Sequence, residues 1–174
     1  MIKSAKEIAC AGVTVALLIG GQYVLSMISG VEIVTAIFAL YCLVFGVLNG
    51  VIVAAAFSLI RCFVFGFFPQ VIILYLIYYV FFAVVVGLLG KILKDRQKWF
   101  TIVILTVTCA ILTVCFTAID NLLNVAFFGV TGSAIKIYVI NSLPVLARQV
   151  VCVCITVPLF FYPLERIFQL TKTK

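Results

Sequence analysis

Apolar residues run through this chain in long unbroken stretches, separated by short polar or glycine-containing segments. About 20 apolar residues are enough to cross the hydrocarbon core of a bilayer as a helix. The stretches lack the period-two alternation of an outer-membrane barrel strand. The pattern therefore predicts an all-α membrane protein, a compact bundle of six transmembrane helices in one domain, residues 1–174. The predicted spans are 7–28, 32–48, 51–65, 71–90, 99–119 and 136–164.

Turn residues set several of these boundaries. Ser29-Gly30 is predicted to follow the first span, and Asn49-Gly50 is a turn signal between the second and third spans. Residues 120–135 are less apolar and predict a long connection before the sixth span. Prolines inside helices are a usual cause of kinks. We therefore expect bends in the sixth span at one or more of its three prolines, Pro144, Pro158 and Pro163.

The composition excludes a water-soluble fold. Hydrophobic residues make up 67% of the chain and charged residues 10%, with a mean hydropathy of +1.41, whereas soluble domains carry about 25% charged residues. The net charge of +7 comes mainly from basic residues that lie in three clusters. The clustered basic residues are Lys3, Lys6, Lys91, Lys94, Arg96, Lys98, Arg166, Lys172 and Lys174. This distribution is typical of cytoplasmic anchoring, so it predicts cytoplasmic N- and C-termini in a lipid bilayer and no nucleic-acid partner.

No catalytic constellation is present in the sequence. The chain has no histidine, which excludes a Ser-His-Asp triad, and it has no Walker or HExxH motif. All seven cysteines lie inside apolar runs, where small apolar packing is the favoured role. We therefore expect no enzyme activity, no cofactor and no metal. A thiol-redox membrane enzyme that uses Cys152 and Cys154 is the alternative.

Five ionisable residues lie in the half of the predicted bundle away from the basic clusters: Glu32, Arg61, Asp120, Lys136 and Arg148. Ionisable groups at membrane depth are costly and commonly functional. A buried guanidinium without a carboxylate partner suits a substrate carbonyl, carboxylate or phosphate. The alternative is that Glu32 and Asp120 neutralise Arg61 and Arg148 as structural ion pairs.

Small residues recur along the first span at spacings of three or four, namely Ala5, Ala9, Gly12 and Ala16. Such spacing lets a second helix approach closely. The feature therefore indicates either docking of a partner membrane subunit or ordinary packing within the bundle.

The whole arrangement resembles the substrate-binding S component of an energy-coupling-factor (ECF) transporter. The resemblance covers the chain length, six spans with both ends inside, the basic start, the small-residue first span and the polar outer half. Residues 32–91 are similar to the family's order of a span, a glycine turn, a short span, a Gly-Pro loop and a glycine-ended fourth span. The family's small-xxx-small motif maps onto Ala5–Ala9 or onto Gly12–Ala16.

The resemblance implies a subunit of the bacterial cell membrane that binds a vitamin or related micronutrient, a modified nucleobase or queuosine precursor included, at an outward-facing pocket. The implied partners are a transmembrane coupling subunit and two cytoplasmic ATPase subunits, which hydrolyse the ATP. A structural or assembly subunit without a ligand is the alternative. The implied pocket residues are Tyr75, Tyr78, Asn121, Asn124, Asn141 and Arg148, with Glu32 and Arg61 as second choices.

Overall fold

Six α-helices account for most of the computed structural model, which describes residues 5–28, 31–129 and 133–172; these ranges contain no strand. Five of the helices are long and apolar enough to cross a membrane. The predicted all-α chain with several helices of membrane-spanning length is therefore confirmed. The helices are α1 (Ala5–Leu25), α2 (Val34–Phe45), α3 (Val47–Phe65), α4 (Pro69–Ile92), α5 (Lys98–Phe128) and α6 (Ser133–Thr171).

The second helix is the centre of the bundle. It has 12 residues, and ten of them are buried, among them Phe38 and Tyr41 at 0% exposure. All five other helices pack against it, as expected for a helix that is apolar on every side. At 1.5 Å per residue it is about 18 Å long, which is shorter than a bilayer core. The helix found within the predicted span 32–48 is therefore shorter than that span.

The turn between α2 and α3 lies at Gly46, and the prediction of a turn at Asn49-Gly50 is wrong. Gly46 has a φ of +81°, a left-handed value that glycine adopts without strain. Asn49 and Gly50 lie inside α3 and are buried. A Cβ at Gly50 would come within 2.8 Å of the Cys42 sulfur, so this glycine serves close packing rather than the turn.

The predicted long connection at 120–135 is also wrong in most of its length. Helix α5 continues to Phe128 and ends at Gly129, which has a left-handed φ of +61°. Helix α6 begins at Ser133 and runs for 39 residues, and its three prolines do not break it. Neighbouring helices and hydroxyl side chains can satisfy the backbone groups that a proline frees in a membrane helix. The polar residues around Asp120 therefore belong to a helix and not to a connection.

The bundle has two chemically different ends. The start of α1, the α4–α5 connection and the end of α6 meet at what we call the basic end, where Lys98 bonds to Glu165 across α5 and α6. The α1–α2 and α3–α4 connections meet at the cavity end, where Gln22 bonds to Tyr75. Of the sequence features assigned above, Lys3, Lys174 and the turn at Ser29-Gly30 lie outside the described residues.

Candidate ligand-binding cavity

A cavity of about 320 Å³ opens at the cavity end, and every helix contributes residues to it or borders it. This volume is within the range of small-molecule sites, about 300–1,000 Å³. The wall combines a few polar groups with aromatic rings. Its main polar residues are Gln22, Ser26, Glu32, Arg61, Tyr75 and Gln149, and its rings include Phe65, Tyr79 and Phe116.

Arg61 is held in place by one amide and two rings. Its Nε donates a hydrogen bond to Gln22 Oε1 at 3.0 Å. Its guanidinium carbon lies 4.1 Å from the centre of the Tyr75 ring and 4.6 Å from that of Phe65, which are cation–π distances. Gln22 Nε2 in turn donates to Tyr75 Oη at 2.6 Å. The arrangement orients the guanidinium at the cavity wall.

Glu32 faces the same cavity from the α1–α2 connection. Its Oε2 accepts a hydrogen bond from Thr35 at 3.0 Å, and its Oε1 accepts one from Gln149 Nε2 at 3.2 Å. The Glu32 backbone N–H also lies 3.3 Å from the Cys152 sulfur, and the Cys152 thiol donates to the Glu32 carbonyl at 3.2 Å. These contacts fix the connection onto α6 and hold the carboxylate between neutral donors.

The pKa of Glu32 gives a testable pH dependence. Burial raises the pKa of this carboxyl above its ordinary value of 4.5, and the hydrogen bond from Thr35 partly opposes the rise. The folded state therefore binds the proton more tightly than the unfolded state, and stability is gained as the pH falls from neutral toward the ordinary value. We expect mild acidification to raise the melting temperature of the wild type more than that of Glu32→Gln. Identical pH profiles for the two proteins would contradict a raised pKa of Glu32.

Aromatic rings form the inner wall. Tyr75 and Tyr79 pack with ring centres 5.3 Å apart, and Phe116 lies 5.9 Å from Tyr75 and 4.8 Å from Tyr78. Tyr78 is 3% exposed and lines a narrow recess beside the main cavity, which Glu32 also lines. Flat rings at this position favour a flat ligand, because aromatic faces stack in offset or edge-on arrangements.

The structure brings together part of the predicted site. Glu32, Arg61 and Tyr75 line the cavity, and Tyr78 lies in the adjoining recess. Arg148 does not line it: this residue is exposed, and its Nε donates to the Pro144 carbonyl on its own helix at 3.2 Å. The arginine at the cavity wall is Arg61, which was ranked below Arg148 from the sequence.

The three predicted asparagines also lie outside the cavity. Asn141 is exposed on α6. Asn121 Nδ2 donates to Ser142 at 3.2 Å. Asn124 Nδ2 donates to the side chain of Asp120 at 3.0 Å, and Asn124 Oδ1 accepts from Gln70 at 3.2 Å. Asn121 therefore joins α5 to α6, and Asn124 joins α5 to α4.

The structural ion pairs considered above are not formed. Neither Glu32 nor Asp120 forms an ion pair with Arg61 or Arg148, whereas Lys98 and Glu165 form one at the opposite end. Arg61 therefore has no carboxylate partner in the described chain, and its charge faces a cavity that a ligand can fill.

Four residues that line the cavity were not in the predicted site: Gln22, Gln149, Phe65 and Phe116. Gln22 is the residue that connects Arg61 to Tyr75. The sequence could have indicated Gln22, since it is an amide inside an otherwise apolar first span and a polar side chain at membrane depth needs a partner. No comparable signal marked Phe116 among 16 phenylalanines.

The small residues of α1 form a smooth exposed face. Ala5, Ala9, Gly12 and Ala16 are all exposed, and no atom lies within 4 Å of a Cβ built on Gly12. At 3.6 residues per turn this stripe is opposite the buried side of α1, to which Ala11 belongs. These four residues therefore do not belong to the side of α1 that packs within the bundle.

Comparison with known proteins finds no similar protein at a significant level. The chain matches no family model, and it matches no curated protein and no solved structure at a significant level.

Proposed function

We propose that this chain is the substrate-binding subunit of an ECF-type importer and that it binds a vitamin or related micronutrient in the cavity. The observation that carries the proposal is the group of Arg61, Gln22 and Tyr75 beside Glu32 in a cavity of about 320 Å³. An arginine without a carboxylate partner is energetically costly at membrane depth, and such residues commonly mark functional sites.

The cavity chemistry favours one class of ligand. Aromatic walls suit a flat heterocycle. The Arg61 guanidinium suits a carbonyl or acidic group on that ring, and Glu32 suits an N–H or amino group. Vitamins with fused or substituted rings and modified nucleobases, queuosine precursors included, combine these features.

The proposed topology places both termini in the cytoplasm and the cavity outside, in a bacterial cell membrane. It is supported by the cations that line a groove at the basic end, Lys91, Lys94, Arg96, Lys98 and Lys172, because cytoplasmic segments are rich in Lys and Arg. The proposed partners are a transmembrane coupling subunit and two cytoplasmic ATPase subunits. The exposed small-residue stripe of α1 is the surface to which we assign docking of the coupling subunit.

A bulky residue on that stripe is expected to block transport without reducing ligand binding. Replacing Gly12 or Ala16 with Trp places a large ring on a surface that a partner helix must approach closely. Leu17→Trp is the matched control, since Leu17 is also exposed on α1 but about 100° around the helix from Ala16. Uptake in cells and ligand affinity in detergent are measured for each. Full uptake by both stripe variants would contradict the docking assignment.

Thermal denaturation in a panel of water-soluble vitamins and nucleobases tests the binding function. We expect one compound, or one chemical series, to raise the melting temperature of the wild type. The shift should disappear in Tyr75→Leu, which removes the ring under Arg61 and the acceptor of Gln22. If no compound stabilises the protein, a structural or assembly subunit becomes the better interpretation, with the α1 stripe as its contact surface.

A further inference from the structure

A groove lies at the basic end, between the ends of α2, α4 and α6 and the start of α5. Its volume is about 630 Å³. Buried apolar side chains form its floor, among them Phe45 and Phe161. Cationic side chains line its rim: Lys91, Lys94, Arg96, Lys98 and Lys172.

The groove has little negative charge of its own. Among the described residues that line it, Glu165 is the one carboxylate. Lys98 Nζ lies 2.9 Å from Glu165 Oε2, and Gln169 Nε2 donates to Oε1 at 2.7 Å. Asp95 belongs to the α4–α5 connection but does not line the groove. The carboxylate that is present is therefore already bonded at both oxygens.

Within the described residues, three of the rim cations have no counter-ion. In the part of the chain that the structure describes, no carboxylate forms an ion pair with Lys91, Lys94 or Arg96. A fourth cation, Lys172, donates to the Val44 carbonyl at the end of α2. Positive charges that converge on one concave surface are best neutralised by an anion held between them.

The residues beside the groove are of the kind found at a membrane surface. Trp99 is 73% exposed and follows Lys98 at the start of α5, and Ile92 at the end of α4 is also 73% exposed. Tryptophan concentrates at the level of lipid headgroups. An occupant of the groove is therefore expected to be anionic at the rim and apolar alongside it.

We propose that the groove binds the phosphate of an anionic phospholipid, with the acyl chains against the exposed apolar residues beside it. Basic pockets between membrane helices are known to hold acidic headgroups. A free phosphate would use the cations but not the apolar surroundings, and an acidic protein segment would leave Trp99 and Ile92 without a role. The inference does not depend on the proposed function.

Native mass spectrometry of the full chain with added lipid tests the proposal. Phosphatidylglycerol and phosphatidylcholine with the same acyl chains are compared. We expect phosphatidylglycerol to bind at least about tenfold more tightly, since each nearby cation contributes about 1 kcal/mol to acidic lipid binding. In Lys94→Gln/Arg96→Gln this preference should fall by about tenfold or more.

The control removes two charges from the same end outside the groove. Lys6 and Arg166 are exposed there, and neither lines the groove. Lys6→Gln/Arg166→Gln should keep the preference for phosphatidylglycerol, and melting temperatures should show that both double variants fold. Equal losses in the two double variants would overturn the proposal, because the attraction would then be a property of the whole surface. Displacement of the lipid by inorganic phosphate or by a polyglutamate peptide would also overturn it.

Discussion

Arg61→Ala is expected to lower the affinity for the ligand by about 100-fold, whereas Arg148→Ala leaves it within about twofold. Loss of one partner from a buried charged hydrogen bond costs about 2–5 kcal/mol, and 1.4 kcal/mol is a factor of ten in affinity. Arg61 lies at the cavity wall on Tyr75 and Phe65. Arg148 is exposed and bonded to Pro144. Calorimetric titration with the compound that stabilises the wild type measures both affinities.

Arg61→Lys separates charge from geometry. A lysine keeps the positive charge but lacks the planar guanidinium that lies over the Tyr75 ring and donates to Gln22. We expect an affinity between those of the wild type and of Arg61→Ala. If Arg148→Ala abolished binding and Arg61→Ala did not, the ligand would lie elsewhere, and the sequence-based preference for Arg148 would be restored.

Gly90→Ala is expected to destabilise the bundle by about 3 kcal/mol or more, which is the upper part of the usual range for overpacking. A Cβ at Gly90 would clash with the Leu43 carbonyl oxygen, and one at Gly87 would lie 2.6 Å from the Val47 nitrogen. Both neighbours are backbone atoms, so the clash is relieved only by moving α4 away from the junction of α2 and α3. Unfolding in sodium dodecyl sulfate, followed by circular dichroism, measures the loss.

Gly20→Ala is the matched control, because it makes the same change in a helix where no atom lies within 4 Å of the new Cβ. Alanine favours the helix over glycine by about 1 kcal/mol, so stability should be unchanged or slightly increased. Equal stability of Gly90→Ala and Gly20→Ala would show that α4 and α2 do not approach as closely as the structure indicates.

The existence of the helices could be predicted from the sequence because unbroken apolar runs of this length have few other physical solutions. Turns were harder to predict. Asn49-Gly50 is a turn dipeptide by propensity, yet both residues are buried in α3, while Gly46, inside an apolar run, carries the turn. Packing against Cys42 and Ala83 decides the role of Gly50, and such contacts between distant segments are not visible in one sequence.

The candidate site was predictable in its chemistry but not in its full membership. The cost of an ionisable group at membrane depth pointed to five residues, of which Glu32 and Arg61 line the cavity. Helical phase then decides which side chains face inward: Gln149 lines the cavity, while the neighbouring Arg148 is exposed. A shift of one residue rotates a side chain by about 100° on a helix. The tilt and rotation of α6, which come from its packing, were needed to choose between them.

Native mass spectrometry of the purified chain, incubated with a panel of water-soluble vitamins and nucleobases, tests directly whether the cavity binds a ligand. We expect one stoichiometric adduct with a flat heterocycle on the wild type and on Arg148→Ala, and its loss from Arg61→Ala. No adduct from any compound, or an adduct that Arg61→Ala retains, would contradict a ligand-binding function for the cavity formed by Gln22, Glu32, Arg61 and Tyr75.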